Sequence, residues 1–229
     1  MANNPKITAY IHLAKYFKKH GYSLYLVGGT VRDFLLHLPL KDMDLVTDAL
    51  PTQVKELFEE SNDAFMKYGV LKVKYQNVKF DIATLRKEGK YDDSRHPSKI
   101  KFVKDVKKDY RRRDFTINAM YLDYYFNVYD YCHGQEDLKN KVIRFVGRPK
   151  RRIKEDPLRI MRAIRFALKY NFTIEDRTSK AMKKYSYLLE KINPEKIKEE
   201  IHKIGEVNPT FKNKLFKEYG IHQLIDVVN

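Results

Sequence analysis

The sequence predicts an α+β protein, a mixed sheet with helices over residues 1–150 followed by an all-helical segment over 151–229. Three observations support this. Short β-branched and aromatic runs at 22–27, 40–46, 70–75, 78–85 and 99–103 alternate with helical stretches. A Gly28-Gly29 pair separates the first run from a helical pattern. Beyond residue 150 only helical periodicity remains, punctuated by Asn193-Pro194 and Asn208-Pro209.

Ile7, Tyr10, Ile11, Ala14 and Phe17 recur at helical spacing, so 5–20 forms an amphipathic helix closed by Gly21. Residues 22–27 form a strand, and after the glycine pair Thr30 caps a helix running to about Leu38. A second strand spans Leu40 to Val46, and Pro51-Thr52 open a helix through about Glu60. Gln76-Asn77 between two strand-like runs signals a hairpin. Residues 86–98 are polar and turn-rich and read as a loop before a short strand at 99–103. Helices are expected at about 155–170, 175–190, 194–205 and 209–218.

Composition narrows the function classes. Forty-six Lys and Arg against 30 Asp and Glu leave a net charge of +16, which favours a polyanionic partner, nucleic acid before anionic membrane. The charge is concentrated: Lys139 to Lys169 holds twelve basic residues and only two acids, Glu155 and Asp156. No stretch reaches the roughly 18 apolar residues of a membrane span. The lone Cys132 excludes an internal disulfide, and with no signal pattern at the N-terminus a cytoplasmic location is expected. The seven histidines show no metal-ligand spacing.

Asp42 and Asp44 stand two apart in Lys41-Asp42-Met43-Asp44-Leu45-Val46. On a strand, residues two apart share a face, so the carboxylates converge. Their mutual repulsion calls for a cation, and hard oxygen ligands suit Mg²⁺, which keeps waters and phosphates as its other ligands. Asp81, alternating with apolar residues on a neighbouring strand, is the candidate third carboxylate of a two-metal site. Alone, an Asp-x-Asp more often marks a solvated strand edge. A strand, Gly28-Gly29 and a helix start ahead of it change that balance, because bare backbone N–H groups there suit a triphosphate, with Arg32 as a clamp and Asp33 holding Arg32.

The helix beginning Glu155-Asp156-Pro157-Leu158-Arg159 carries an apolar stripe of Ile160, Ala163, Ile164, Ala167 and Leu168. Asp156, Arg159 and Arg162 follow at spacings of three on another face. Cytosine and adenine both present an amino donor beside a ring-nitrogen acceptor. Asp only accepts and Arg only donates, so the pair matches these two bases and opposes uracil and guanine. From spacing alone, a capped helix with an internal ion pair describes the same residues.

Taken together, Leu26-Val27-Gly28-Gly29-Thr30-Val31-Arg32-Asp33, Asp42-Met43-Asp44, Arg112-Arg113-Asp114-Phe115-Thr116-Ile117-Asn118-Ala119-Met120, Asp130 with Gly134-Gln135-Glu136-Asp137-Leu138, and Glu155 to Ala163 resemble the bacterial-type tRNA nucleotidyltransferase (CCA-adding) and poly(A) polymerase family. Five motifs in order over about residues 22–205 make the resemblance specific. It implies a polymerase-β-like head followed by a helical neck. It also implies metal ligands at Asp42 and Asp44, a base-reading pair at Asp156 and Arg159, and nucleotide contacts at Arg113, Asp114, Asn118 and Arg162. Residues 86–98 stand where the family has a flexible loop needed for adding the terminal A.

The implied activity is template-independent addition of C and A to tRNA 3′ ends from CTP and ATP with release of pyrophosphate. The partners are then tRNA or another RNA 3′ end, with no membrane and no obligate protein partner. Alternatives are a poly(A) polymerase, an A-only or CC-only enzyme or, from a different class, a non-catalytic RNA-binding protein derived from such a head. Three departures from the family pattern stand out. Asp81 occupies a position where many relatives have Glu, Ser94 replaces a usual loop Gly, and the chain stops at Asn229 where the family continues into a helical body and tail.

Overall fold

A computed structural model describes residues 4–58, 61–62, 64–89 and 99–221. The expected family-like loop positions 90–98 lie outside these residues. The chain divides into two compact units. One holds most of the first 134 residues, and the other holds Asp114–Thr116 and the chain from Gln135 onward.

The first unit is built on α1 (Pro5–Lys19), β1 (Leu24–Val27), α2 (Gly29–Leu35), β2 (Asp44–Thr47), α3 (Pro51–Leu57), β3 (Ser61–Asn62), β4 (Val70–Tyr75), β5 (Val78–Thr84), β6 (Arg86–Glu88), β7 (Ile100–Phe102), α4 (Val106–Asp109), β8 (Tyr121–Leu122) and β9 (Val128–Tyr129). Seven strands form a mixed sheet in the order β3-β4-β5-β2-β1-β8-β9. Among the described residues, β2 and β5 are the one parallel pair within it. Asn4 caps α1 through Lys6 N–H at 3.0 Å, and the predicted apolar stripe supplies buried Ile7, Tyr10, Ala14 and Phe17.

Gln76 (φ 47°) and Asn77 (φ 62°) close the β4–β5 hairpin with two left-handed residues, the geometry a two-residue turn requires. Three local expectations change. Thr30 lies inside α2, and Gly28 is the N-cap, at φ 65° where glycine is favoured. Arg86–Glu88, read as loop, pairs with Ile100–Phe102 as a small separate hairpin. The second strand begins at Asp44, so Leu40–Met43 is irregular.

In the second unit α5 (Gly134–Lys139), β10 (Val142–Ile143), α6 (Pro149–Glu155), α7 (Leu158–Tyr170), β11 (Thr173–Ile174), α8 (Asp176–Tyr185), α9 (Pro194–His202) and α10 (Pro209–Glu218) follow. β10 and β11 pair in parallel, tying residues 142–143 to 173–174. This link draws the stretch before residue 150 into the helical unit, so the division by compactness falls earlier than the expected boundary and the unit is not purely helical. Phe115 stacks on Phe145 at 4.9 Å and meets Phe166 edge-on at 5.6 Å, forming the aromatic centre of this unit. Both Asn-Pro punctuation marks are helix starts: Asn193 and Asn208 cap α9 and α10, with proline in the first turn. α6 has no counterpart in the expected elements, because its run of basic residues shows little apolar periodicity.

Candidate active site

The irregular segment before β2 is held by side chains from two helices. Lys6 of α1 donates to the carbonyls of Leu40 at 2.8 Å and Lys41 at 2.6 Å. Buried Thr30 of α2 donates its hydroxyl to the Asp42 carbonyl at 3.2 Å and accepts from the Asp44 amide at 3.0 Å. Asp42 is therefore not presented by strand alternation. Its position is set by Thr30 and Lys6, two residues that sequence patterns did not single out for this role. A hydroxyl one residue after the glycine pair was visible, but its partner was not.

Asp44 opens β2 and stands in register with Asp81 on the parallel neighbour β5. Both carboxylates and Asp42 line one open pocket of about 640 Å³. The Asp44 carboxyl is pushed above the usual carboxylate range, first by removal from water and then by the charges of Asp81 and Asp42, while Arg113 and Arg32 pull it back. Two carboxylates this close on one pocket are a donor set that fits a divalent cation between Asp42 and Asp44. Among the described residues no three carboxylate, histidine or cysteine side chains gather into a complete metal cage. Asp81 is drawn toward Lys72, its cross-strand partner on β4, at 3.3 Å.

Arg32, expected to face a triphosphate, folds beneath the glycine turn. It is 5% exposed, donates to Asn118 Oδ1 at 2.6 Å and pairs with Asp33 at 2.9 Å. A Cβ added at Gly29 would lie 3.3 Å from its Nη2, so the glycine permits the close approach. Arg113 approaches Gly28 from the same unit, with its Nη1 at 3.6 Å from the place a Cβ would occupy. Its orientation is fixed by Tyr121 Oη at 3.1 Å and Asp109 Oδ2 at 3.0 Å. Asp109 is fully buried, yet its carboxyl lies well below the usual range. Burial alone would raise it, but the charges of Arg112 and Arg113 and the Arg86 amide outweigh that. Asp109 was also missed in the sequence, since it looks like one acid in a lysine-rich turn.

The Arg113-Asp114 motif is divided by the fold. Arg113 and Asn118 belong to the first unit, whereas Asp114 joins the second through Val146 N–H to the Asp114 carbonyl at 2.9 Å. There Asp114 Oδ2 accepts from Arg162 Nε at 2.9 Å and Nη2 at 2.6 Å. Burial pushes its carboxyl up, but Arg162, the Phe115 amide and the Arg159 charge bring it down to about 2.

Asp156 lies in the link between α6 and α7 rather than within one long helix, and accepts from Leu158 N–H at 3.1 Å. Arg159 Nε stands 4.0 Å from Asp156 Oδ2, while Nη1 is fixed by the Arg152 carbonyl and Glu155 Oε2, both at 3.1 Å. Asp156 and Arg159 thus form an adjacent acceptor and donor on a rigid framework, backed by the expected stripe of Ile160, Ala163, Ile164, Ala167 and Leu168, all buried. Arg165 pairs with nearly buried Glu200 of α9 at 2.7 Å, securing the other side of α7.

Comparison with known proteins places the chain among relatives of one family. Residues 24–144 match the family described as "Poly A polymerase head domain", and residues 171–223 match "Probable RNA and SrmB- binding site of polymerase A". The CCA-adding enzyme of Lactobacillus helveticus is 44% identical over 185 residues, covering 81% of this chain and 46% of that protein. That of Staphylococcus haemolyticus is 42% identical, covering 82% of this chain and 47% of that protein. Among solved structures, the Bacillus stearothermophilus CCA-adding enzyme in complex with CTP gives a TM-score of 0.87 at 32% identity, over 96% of this chain and 54% of that one. The Thermotoga maritima CCA-adding enzyme complexed with tRNA gives 0.77 at 28% identity, over 97% and 53%. The chain spans about half the length of the curated relatives it matches. No helix among the described residues is long and apolar enough to cross a membrane.

Proposed function

This chain belongs to the poly A polymerase head-domain family, and from that premise we propose that it carries the head and neck of a nucleotidyltransferase adding C and A to the 3′ ends of tRNA from CTP and ATP. The observation that carries the reading is the convergence of Asp42, Asp44 and Asp81 on one pocket, with the Asp44 carboxyl raised first by desolvation and then by the charges of Asp81 and Asp42. RNA binding alone would need no such concentration of negative charge inside a protein of net charge +16.

In the reaction an RNA 3′-hydroxyl attacks the α-phosphate of CTP or ATP. A new phosphodiester forms, the bond between the α- and β-phosphates breaks, and pyrophosphate leaves while the hydroxyl proton passes to solvent. Asp42 and Asp44 would hold the divalent cation, Mg²⁺ by its preference for hard oxygen ligands, and when bound it would supply charge neutralisation at the attacked phosphate and lower the pKa of the attacking hydroxyl. Asp81, in register with Asp44 on the neighbouring strand, is the candidate third carboxylate and is paired with Lys72 in the free protein.

Gly28 and Gly29 present backbone N–H groups to the phosphates. Arg32 and Arg113 act as fixed positive charges beside that turn, pre-oriented by Asn118, Asp33, Asp109 and Tyr121. Asp156 accepts from the exocyclic amine of cytosine or adenine while Arg159 donates to the adjacent ring nitrogen. Asp114 and Arg162 contact the nucleotide beside that pair. A cytoplasmic location is part of the same proposal.

The experiment offers tRNAs ending before the CCA, after C and after CC, with labelled CTP or ATP, and sequences the product ends. Completion of CCA from each primer, and no further, is expected. Long A tails would assign a poly(A) polymerase instead. Absence of any incorporation with intact RNA binding would favour the non-catalytic alternative.

A further inference from the structure

The exposed face of β4 and β5 carries two rows of charge. In the first, Asp44, Asp81 and Lys72 stand side by side across β2, β5 and β4. Two residues along, Lys74 of β4 stands directly opposite Lys79 of β5. Residues two apart on a strand face the same way, and both lysines line the carboxylate pocket. Lys72 has Asp81 as its partner, and the Lys6 ammonium is taken by backbone carbonyls. Lys74 and Lys79 are exposed and make no ion pair or side-chain hydrogen bond among the described residues.

Like charges directly opposite each other on a sheet disfavour the folded state. A lysine facing a lysine is therefore a local liability in the free protein, and it sits one step from the reacting centre. A polyanion is the partner that would turn this liability into attraction. The proposed reaction has two polyanionic reactants. The nucleotide already has its phosphate site at Gly28-Gly29, with the Arg32 and Arg113 charges beside it. The second anion is the RNA chain, whose 3′-hydroxyl must reach the carboxylates and whose backbone must therefore pass beside the same pocket.

We infer that Lys74 and Lys79 form a primer-backbone subsite, binding the phosphodiesters nearest the RNA 3′ end so that its terminal hydroxyl lies over Asp44 and Asp81. This rests on the nucleotidyltransferase reading and names where that reaction's RNA is held. The two basic poles then divide the work, the glycine turn taking the triphosphate and the lysine row the primer. The row carries charge without base-reading groups, so it holds the backbone irrespective of sequence.

The test uses Lys74→Gln, Lys79→Gln and the double variant of the full chain. Binding of a fluorescein-labelled tRNA lacking its 3′ CCA is measured by anisotropy between 50 and 200 mM KCl, with no need for turnover. Each single-strand phosphate contact contributes about 0.7 to the slope of log affinity against log salt. Over that fourfold range two contacts are worth about sevenfold, so the double variant should lose that much of its salt sensitivity.

CTP binding, followed as a thermal shift, should be unchanged, and the ligand-free melting temperature should be equal to or above that of wild type. A merely structural pair of lysines would not raise it. An unchanged salt slope, loss of the CTP shift in place of RNA affinity, or no measurable RNA binding by the wild type would each overturn the subsite. Failure of the nucleotidyltransferase reading would show separately, as RNA that binds with the expected slope but is never extended.

Discussion

Replacing Thr30 with valine removes one hydroxyl from beneath the carboxylate site and keeps the shape of the side chain. The hydroxyl accepts from the Asp44 amide at 3.0 Å and donates to the Asp42 carbonyl at 3.2 Å, and Thr30 is 4% exposed. Losing a partner for a buried donor costs about 1–3 kcal/mol, and this amide is only part-buried, so about 1–2 kcal/mol is expected. For a protein of this size that corresponds to roughly 2–8 °C in Tm. The effect on catalysis should be larger than the effect on stability. Asp42 precedes the strand, and Thr30 is one of the two side chains that fix its segment. A displacement of order 1 Å at a reacting centre costs about 100-fold, so kcat should fall about 10- to 100-fold.

The assay is incorporation of one labelled C into tRNA lacking CCA, with Mg²⁺ and CTP varied in turn. Thr30→Val should need more Mg²⁺ for half-maximal rate while the KM for CTP moves little, because the glycine turn is untouched. Thr30→Ser, which keeps the hydroxyl, should restore both kcat and the Mg²⁺ requirement. Wild-type kcat and Mg²⁺ dependence in Thr30→Val would refute the reasoning, as would a Thr30→Ser variant no better than valine.

Three further outcomes follow from the same geometry. Asp44→Asn should abolish incorporation yet raise the Tm of the metal-free protein at pH 7. An acid whose folded pKa is raised destabilises above that value and does nothing below its unfolded value of 3.8, so the gain should vanish in acid; a lower Tm at pH 7 would contradict the repulsion argument. The Asp114 carboxyl, held at about 2 against an ordinary 3.8, contributes stability that is complete above pH 3.8 and lost as pH falls through 2. Chemical denaturation from pH 5 to 2 should show that acid limb in wild type and a flatter one in Asp114→Asn. Arg159→Ala should erode selection of CTP and ATP over UTP and GTP more than it weakens triphosphate binding, and competition among the four nucleotides giving unchanged preference would count decisively against the reading pair.

Much of the site was legible because its chemistry depends on residue type and short spacing. Gly28-Gly29 followed by Asp42 and Asp44 specifies a turn and two acids whatever the details of packing, and Asp81 on a second strand came into register with Asp44. The i, i+3 relation of Asp156 and Arg159 survived even though the helix expected there breaks between them at Pro157, since the link keeps them one turn apart. Less legible were positions whose role comes from partners remote in sequence. Arg32 reads as a clamp in the first turn of a helix, but Asn118, 86 residues later, takes its guanidinium beneath the turn. Asp109 carries no periodic or motif signal, and its importance lies in the arginines folded around it.

The sequence by itself determined the mixed-sheet class, the hairpin at Gln76-Asn77, the helix starts at Asn193 and Asn208 and the acids that could hold a metal. Each follows from backbone preferences or side-chain chemistry acting within a few residues. Only the tertiary structure decided that Asp42 is positioned by Thr30 and Lys6 instead of by strand alternation. It alone also put Arg113 with the glycine turn and Asp114 with Arg162, and set Lys74 against Lys79 beside the carboxylates. Those outcomes depend on strand register and on buried hydrogen bonds between distant segments, whose energies exist only once the chain has brought both partners out of water.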